Sequence, residues 1–138
     1  KKRLQHRKVP VNINYKKTNY MIFGSKIVTN NLEISIKIDN NSIERVYKNK
    51  FLGFVISDNL SWLNHIMHIS SKISKITGII RKLRYKLSFH ITKKLYYSLI
   101  YPYLTYGVML WGNSCMTHLN SLRLAYNSFV RCLFFLKK

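Results

Sequence analysis

Residues Lys50–Ile66 read KFLGFVISDNLSWLNHI, residues Lys93–Gly112 read KKLYYSLIYPYLTYGVMLWG, and a long amphipathic run joins them. Phe51–Ile56 is almost wholly apolar, which predicts a strand buried on both faces. Gly53 in its middle predicts a bulge or a close backbone approach. After Asp58-Asn59-Leu60-Ser61 the rhythm changes: Trp62, Ile66, Ile69, Ile73, Ile76, Ile80, Leu83 and Leu87 recur at steps of four and three. That stripe predicts a helix burying one face, with Asp58 or Ser61 as its cap. A coiled coil and a helix lying across others in one domain both need such a seam. Ser88 predicts a second cap and Ile91–Trp111 a second helix. Pro102 should kink or break it, because proline lacks the N–H and clashes with the preceding turn. Gly112-Asn113-Ser114 ends it. Thr117 then predicts the cap of a third helix, with Leu119, Leu122, Tyr126, Phe129, Leu133 and Leu136 on one face.

Upstream the period shortens to two. Leu32, Ile34, Ile36 and Ile38 alternate with Glu33, Ser35 and Lys37, the pattern of a half-buried strand. Asp39-Asn40-Asn41-Ser42 has turn chemistry. Thr18–Phe23 and Ile43–Val46 are rich enough in β-branched and aromatic residues to be strands as well. The fold class expected is α+β: a small antiparallel sheet, then a three-helix bundle, divided at residues 1–60 and 61–138.

Charge limits the function. The chain has 138 residues, with 24 Lys and Arg against 4 Asp and Glu, a formal net charge of +20. Such an excess repels itself unless a polyanion screens it. Nucleic acid is the favoured partner, an anionic membrane surface the next, and biased composition the bland alternative. At about 100° per residue, Lys72, Lys75, Lys82 and Lys86 share one flank of the first long helix with His68, while Arg81 lies opposite and Arg84 borders the seam. No acid follows Asp58, so i,i+4 Glu–Lys pairing cannot neutralise this ridge. The basic run Lys1–Lys8 is a solvated helix end or a tail that touches phosphate.

The four acids, Glu33, Asp39, Glu44 and Asp58, show no active-site spacing, and two-metal phosphoryl chemistry needs clustered carboxylates. Cys115 and Cys132 make neither a disulfide framework nor a zinc site, and Cys132 is expected to be a buried thiol. His65 and His68 lack the neighbours that a metal site requires. Leu95–Thr117 carries no charge and is long enough to span a bilayer, yet its tyrosines, glycines and proline argue for a buried domain helix instead. Its tyrosines suit core packing better than base stacking. No secretory leader follows Lys1; an intracellular location is expected, and the chain reads as a piece of a longer protein.

Several segments in order resemble the reverse transcriptases of non-long-terminal-repeat retrotransposons, the jockey-like group especially. They are Asn14-Tyr15-Lys16-Lys17-Thr18 before Tyr20-Met21-Ile22-Phe23; Ile43-Glu44-Arg45-Val46; Phe51-Leu52-Gly53 leading to Leu60-Ser61-Trp62 and His65-Ile66; Lys72-Ile73-Ser74-Lys75; Leu95–Ile100 with Pro102-Tyr103-Leu104; and Tyr106-Gly107 with Trp111-Gly112. The resemblance implies that residues 1–60 are the end of a palm and residues 61–138 a thumb. It implies that Lys17 lies near the incoming nucleotide and that Phe51, Leu52 and Gly53 form a primer-grip-like turn. A glycine suits that turn because a residue without Cβ lets a nucleic-acid strand approach. The implied partners are an RNA/DNA template–primer duplex and the fingers and palm of the parent chain; no membrane partner is expected. Mg²⁺ is implied for the complete polymerase and no cofactor for this chain, because the family's catalytic acids would lie upstream of Lys1. The family often has Asp where this chain has Ser57, which weakens any role for that turn. The alternative is a stand-alone cationic protein that binds nucleic acid or membrane without polymerase ancestry.

Overall fold

The long apolar stripe folds as one continuous helix in the computed structural model, which describes residues 13–14, 17–24, 34–83 and 85–134. In chain order these residues form β1 (Asn19–Tyr20), β2 (Lys37–Ile38), β3 (Asn41–Ser42), β4 (Glu44–Arg45), β5 (Lys48–Phe51), β6 (Phe54–Ser57), α1 (Leu63–Leu83), α2 (Phe89–Leu95), a π-helical turn (Tyr96–Ile100), α3 (Tyr101–Thr105), α4 (Val108–Trp111) and α5 (Met116–Leu133). The α+β class holds. The strands make three two-stranded ladders: β2–β3 and β5–β6 are antiparallel, and β1–β4 is parallel.

Helix α1 begins where Ser61 Oγ accepts the Leu63 N–H at 3.3 Å, which satisfies one orphan donor of the first turn. It buries Ile66, Ile69, Ile73 and Ile80, along with His65 and Thr77. The stripe outlasts the buried face: Leu83 is exposed at the helix end and Leu87 lies beyond it. Helix α5 supplies the facing surface, with Leu122, Ala125, Phe129 and Cys132 buried. Ser70 donates to the Ser121 carbonyl at 3.0 Å and Arg81 to Ser128 Oγ at 3.2 Å. The two bonds advance together along both helices, so α1 and α5 run in the same sense and the chain between them returns. Ile100 and Trp111 complete the core from that return segment.

Several sequence expectations are corrected. Phe51–Ile56 is not one buried strand but the heart of a hairpin. Leu52 (φ 46°) and Gly53 (φ 84°) both adopt left-handed backbone, the signature of a two-residue hairpin turn. The turn leaves Phe51 61% and Leu52 72% exposed. The second helix, expected over Ile91–Trp111, starts instead at Phe89, with Ser88 Oγ accepting the Ile91 N–H at 3.4 Å, and breaks into segments. The Tyr101 N–H reaches back five residues to the Tyr96 carbonyl, so the helix widens just before Pro102, whose ring then sits in the first turn of α3. Left-handed backbone at Gly107 (φ 61°) separates α3 from α4. A helix broken this way presents both sides to solvent: Tyr97, Tyr101, Met109 and Leu110 are exposed, and the segment is not a buried domain helix. Finally, Cys115, not Thr117, occupies the N-cap of α5, and its Sγ shares a 3.1 Å hydrogen bond with Thr117 Oγ1.

The expected strand Leu32–Ile38 is ordered as β only at Lys37–Ile38, where Asp39 (φ 47°) and Asn40 (φ 63°) turn it into β3. Leu32, Glu33, Leu136, Tyr15, Lys16 and the basic run Lys1–Lys8 lie outside the described residues.

Candidate nucleic-acid interface

The hairpin docks on the start of α1 through two neighbouring side chains: Asn64 Nδ2 donates to Ser57 Oγ at 2.8 Å, and His65 makes the second link. In a two-residue hairpin closed by the Phe51–Phe54 pair, the next pair, Lys50–Val55, is not hydrogen-bonded across the ladder, and its backbone groups point outward. The Val55 N–H uses this freedom to donate to His65 Nδ1 at 3.3 Å. His65 therefore carries its proton on Nε2, which is buried without a hydrogen-bond partner. Around the imidazole stand Phe54 at 5.2 Å, Trp62 at 5.9 Å and Trp111 at 6.1 Å between ring centroids. This apolar cage, with help from nearby His68, pushes the His65 pKa below its ordinary value.

The hairpin tip is pinned from the other end of the chain. Tyr106 donates its hydroxyl to the Leu52 carbonyl at 2.8 Å and stacks on Phe54 at 4.9 Å. A Cβ on Gly107 would stand 2.2 Å from Phe54 Cζ, so that ring needs the glycine as well as its left-handed backbone. Gly53 faces Tyr106 rather than open space, with a Cβ there 3.3 Å from the ring. The outer surface of the turn is what Phe51 and Leu52 offer.

Because Lys50 and Val55 are directly opposed, their side chains leave the same face of the ladder. The His65 bond sets that ladder against α1, and His68 follows His65 by three residues on the same side of the helix. The outcome is a cationic cluster: His68 is held below its ordinary pKa first by partial burial, then by Lys50, Lys72 and Lys75. Lys72, Lys75 and Lys82 are exposed on α1; Lys86 is exposed in the turn beyond it, where its N–H donates to the Leu83 carbonyl at 2.8 Å. Lys17 sits on a different segment, exposed in the turn ahead of β1, with its N–H bonded to the Asn14 carbonyl at 2.9 Å. The sequence pattern did not reveal Lys50 as a neighbour of the ridge, since only the hairpin reversal brings it there. Nor did it reveal His65 as a link between hairpin and helix. Its single clue was a histidine one step from an apolar stripe.

Among the tyrosines, Tyr96 packs inward. It stacks on Phe129 at 5.7 Å, and burial with a hydrogen bond to Tyr126 raises its pKa to about 12. Among the described residues no group of three or more His, Cys, Asp or Glu could hold a metal ion. No helix among them is long and apolar enough to cross a membrane.

The chain is similar to two curated RNA-directed DNA polymerases from the mobile element jockey. With that of Drosophila funebris it is 25% identical over 100 residues, 70% of this chain and 11% of the relative. With that of Drosophila melanogaster it is 30% identical over 79 residues, 54% of this chain and 8% of the relative. The resemblance to jockey-like reverse transcriptases is thus borne out, and the matched region is about a tenth of those proteins' length. No family model matches the chain, and no solved structure does.

Proposed function

We propose that this chain is a fragment of a jockey-like RNA-directed DNA polymerase that holds the template–primer duplex and does not catalyse synthesis by itself. The likeness to the two jockey polymerases carries this reading, because charge alone would suit any polyanion-binding protein. In it, α1, the broken return segment and α5 act as a thumb, and the exposed Lys72, Lys75, Lys82 and Lys86 contact phosphates of the duplex. Phe51, Leu52 and Gly53 form the primer-grip-like turn, braced from behind by Tyr106 so that its exposed side chains face the primer end. Lys17 lies toward the incoming nucleotide. The parent enzyme would join nucleotides with Mg²⁺ held by acids supplied elsewhere. This chain's Glu33, Asp39, Glu44 and Asp58 are too few and too scattered for that task.

A salt series with a labelled RNA–DNA hybrid tests the reading. The affinity should fall steeply with salt. Replacing Lys72, Lys75, Lys82 and Lys86 by Ala should make the log K against log salt slope shallower by about three to four, close to one for each phosphate no longer neutralised. An unchanged slope would remove the ridge from the interface. Binding to anionic vesicles in place of the hybrid would favour a lipid-surface protein.

A further inference from the structure

We propose that Lys50, His68, Lys72 and Lys75 form one phosphodiester-binding cluster bridging the hairpin and α1, and that His68 takes up a proton when a phosphate enters it. The proposal rests on the template–primer reading above and adds to it two residues and a proton.

The geometry comes from two elements. The ladder register puts Lys50 opposite Val55, and the Val55 N–H is tied to His65. One turn of α1 separates His65 from His68, and further turns bring Lys72 and Lys75 to the same flank. Lys50, Lys72 and Lys75 are exposed, so an anion can reach them, and His68, on which all three charges act, is half-buried. The groups facing His68 are Lys50 from the hairpin and His65, Lys72 and Lys75 from α1. Partial burial, and then the positive charges of Lys50, Lys72 and Lys75, hold its pKa below the ordinary value in the free protein. A phosphate diester carries one negative charge at any physiological pH. Placed among the three ammonium groups it would offset their repulsion and accept a hydrogen bond from the imidazolium, so the bound state favours the protonated ring. Binding then takes up a proton, and affinity must rise as pH falls through the range below the ordinary histidine value.

The experiment uses the whole chain at constant ionic strength. Hybrid affinity should rise about fivefold from pH 8 to pH 5.5, and in His68→Gln that rise should largely vanish. The two proteins share every other side chain, so the difference between the two profiles isolates His68. Lys50→Ala should weaken binding at pH 8 by about as much as Lys72→Ala, roughly threefold. Parallel pH profiles for the two proteins, or a Lys50→Ala variant that binds like the parent, would overturn the cluster while leaving the thumb reading standing. If the hybrid does not bind at either pH, the thumb reading fails. Nuclear magnetic resonance titration of His68 with inorganic pyrophosphate then decides the cluster: a raised His68 pKa supports it, and an unmoved one ends it.

Discussion

Helices α1 and α5 and the β5–β6 hairpin pack against the same core yet are held by different means. The helix pair makes its own backbone hydrogen bonds and adds apolar packing: Ile66, Ile73 and Phe129 are each at most 1% exposed. The hairpin has four ladder pairs, an exposed outer strand and a half-buried inner one. A two-stranded ribbon of that kind is at best marginal alone. It persists because its second strand is bonded to α1 through His65 and Asn64 and its turn to the return segment through Tyr106. A helix needs only a partner for its stripe, whereas an isolated hairpin needs partners for its backbone.

Substitutions can break that contrast. Phe129→Ala removes the largest buried side chain from the seam and should lower stability by about 3–5 kcal/mol in urea unfolding. A loss under about 1 kcal/mol would mean that the helix pair is not the stable half. His65→Ala should cost less, about 2–3 kcal/mol, by emptying the aromatic cage and leaving the Val55 N–H without its acceptor. Its loss should appear first as exchange of hairpin amides with solvent.

The same histidine sets a pH dependence. Its folded pKa lies below the unfolded value, so the unfolded chain binds the proton more readily. Stability is therefore full above the ordinary value of 6.5 and lost as pH falls below it. Melting temperature should drop between pH 7 and pH 5, and His65→Ala should flatten that drop. A parent profile that stays level would contradict the buried neutral ring. The smallest effect is expected from Tyr106→Phe. It deletes one hydrogen bond to the Leu52 carbonyl, worth about 1 kcal/mol, and keeps the stack on Phe54. The hairpin turn should loosen in amide exchange while the seam of α1 and α5 stays protected. Equal loosening of both would erase the distinction between them.

Legibility followed the same division. The three–four spacing of Ile66, Ile69, Ile73 and Ile80 announced α1, and that of Leu122 and Phe129 announced α5, because a helix repeats its environment every turn. Ser88 was readable as a cap, since capping is local chemistry. Phe51–Ile56 was not readable as a hairpin. Leu52 is an unusual residue for left-handed backbone, and no Asn-Gly or Asp-Gly pair marked the turn. The sequence predicts the break at Pro102, but the second break at Tyr106-Gly107 depends on where the Phe54 ring lies.

Local order in the chain determined the amphipathic helices, the lysines Lys72, Lys75 and Lys82 on α1 and the ordered motifs that resemble jockey-like polymerases, because each depends on residues a turn or a strand apart. Tertiary structure alone decided that Lys50 joins the ridge, that His65 is a buried neutral link and that the tyrosine segment is half exposed. Those outcomes depend on which distant backbone groups meet, and a pattern of side-chain types does not encode that meeting.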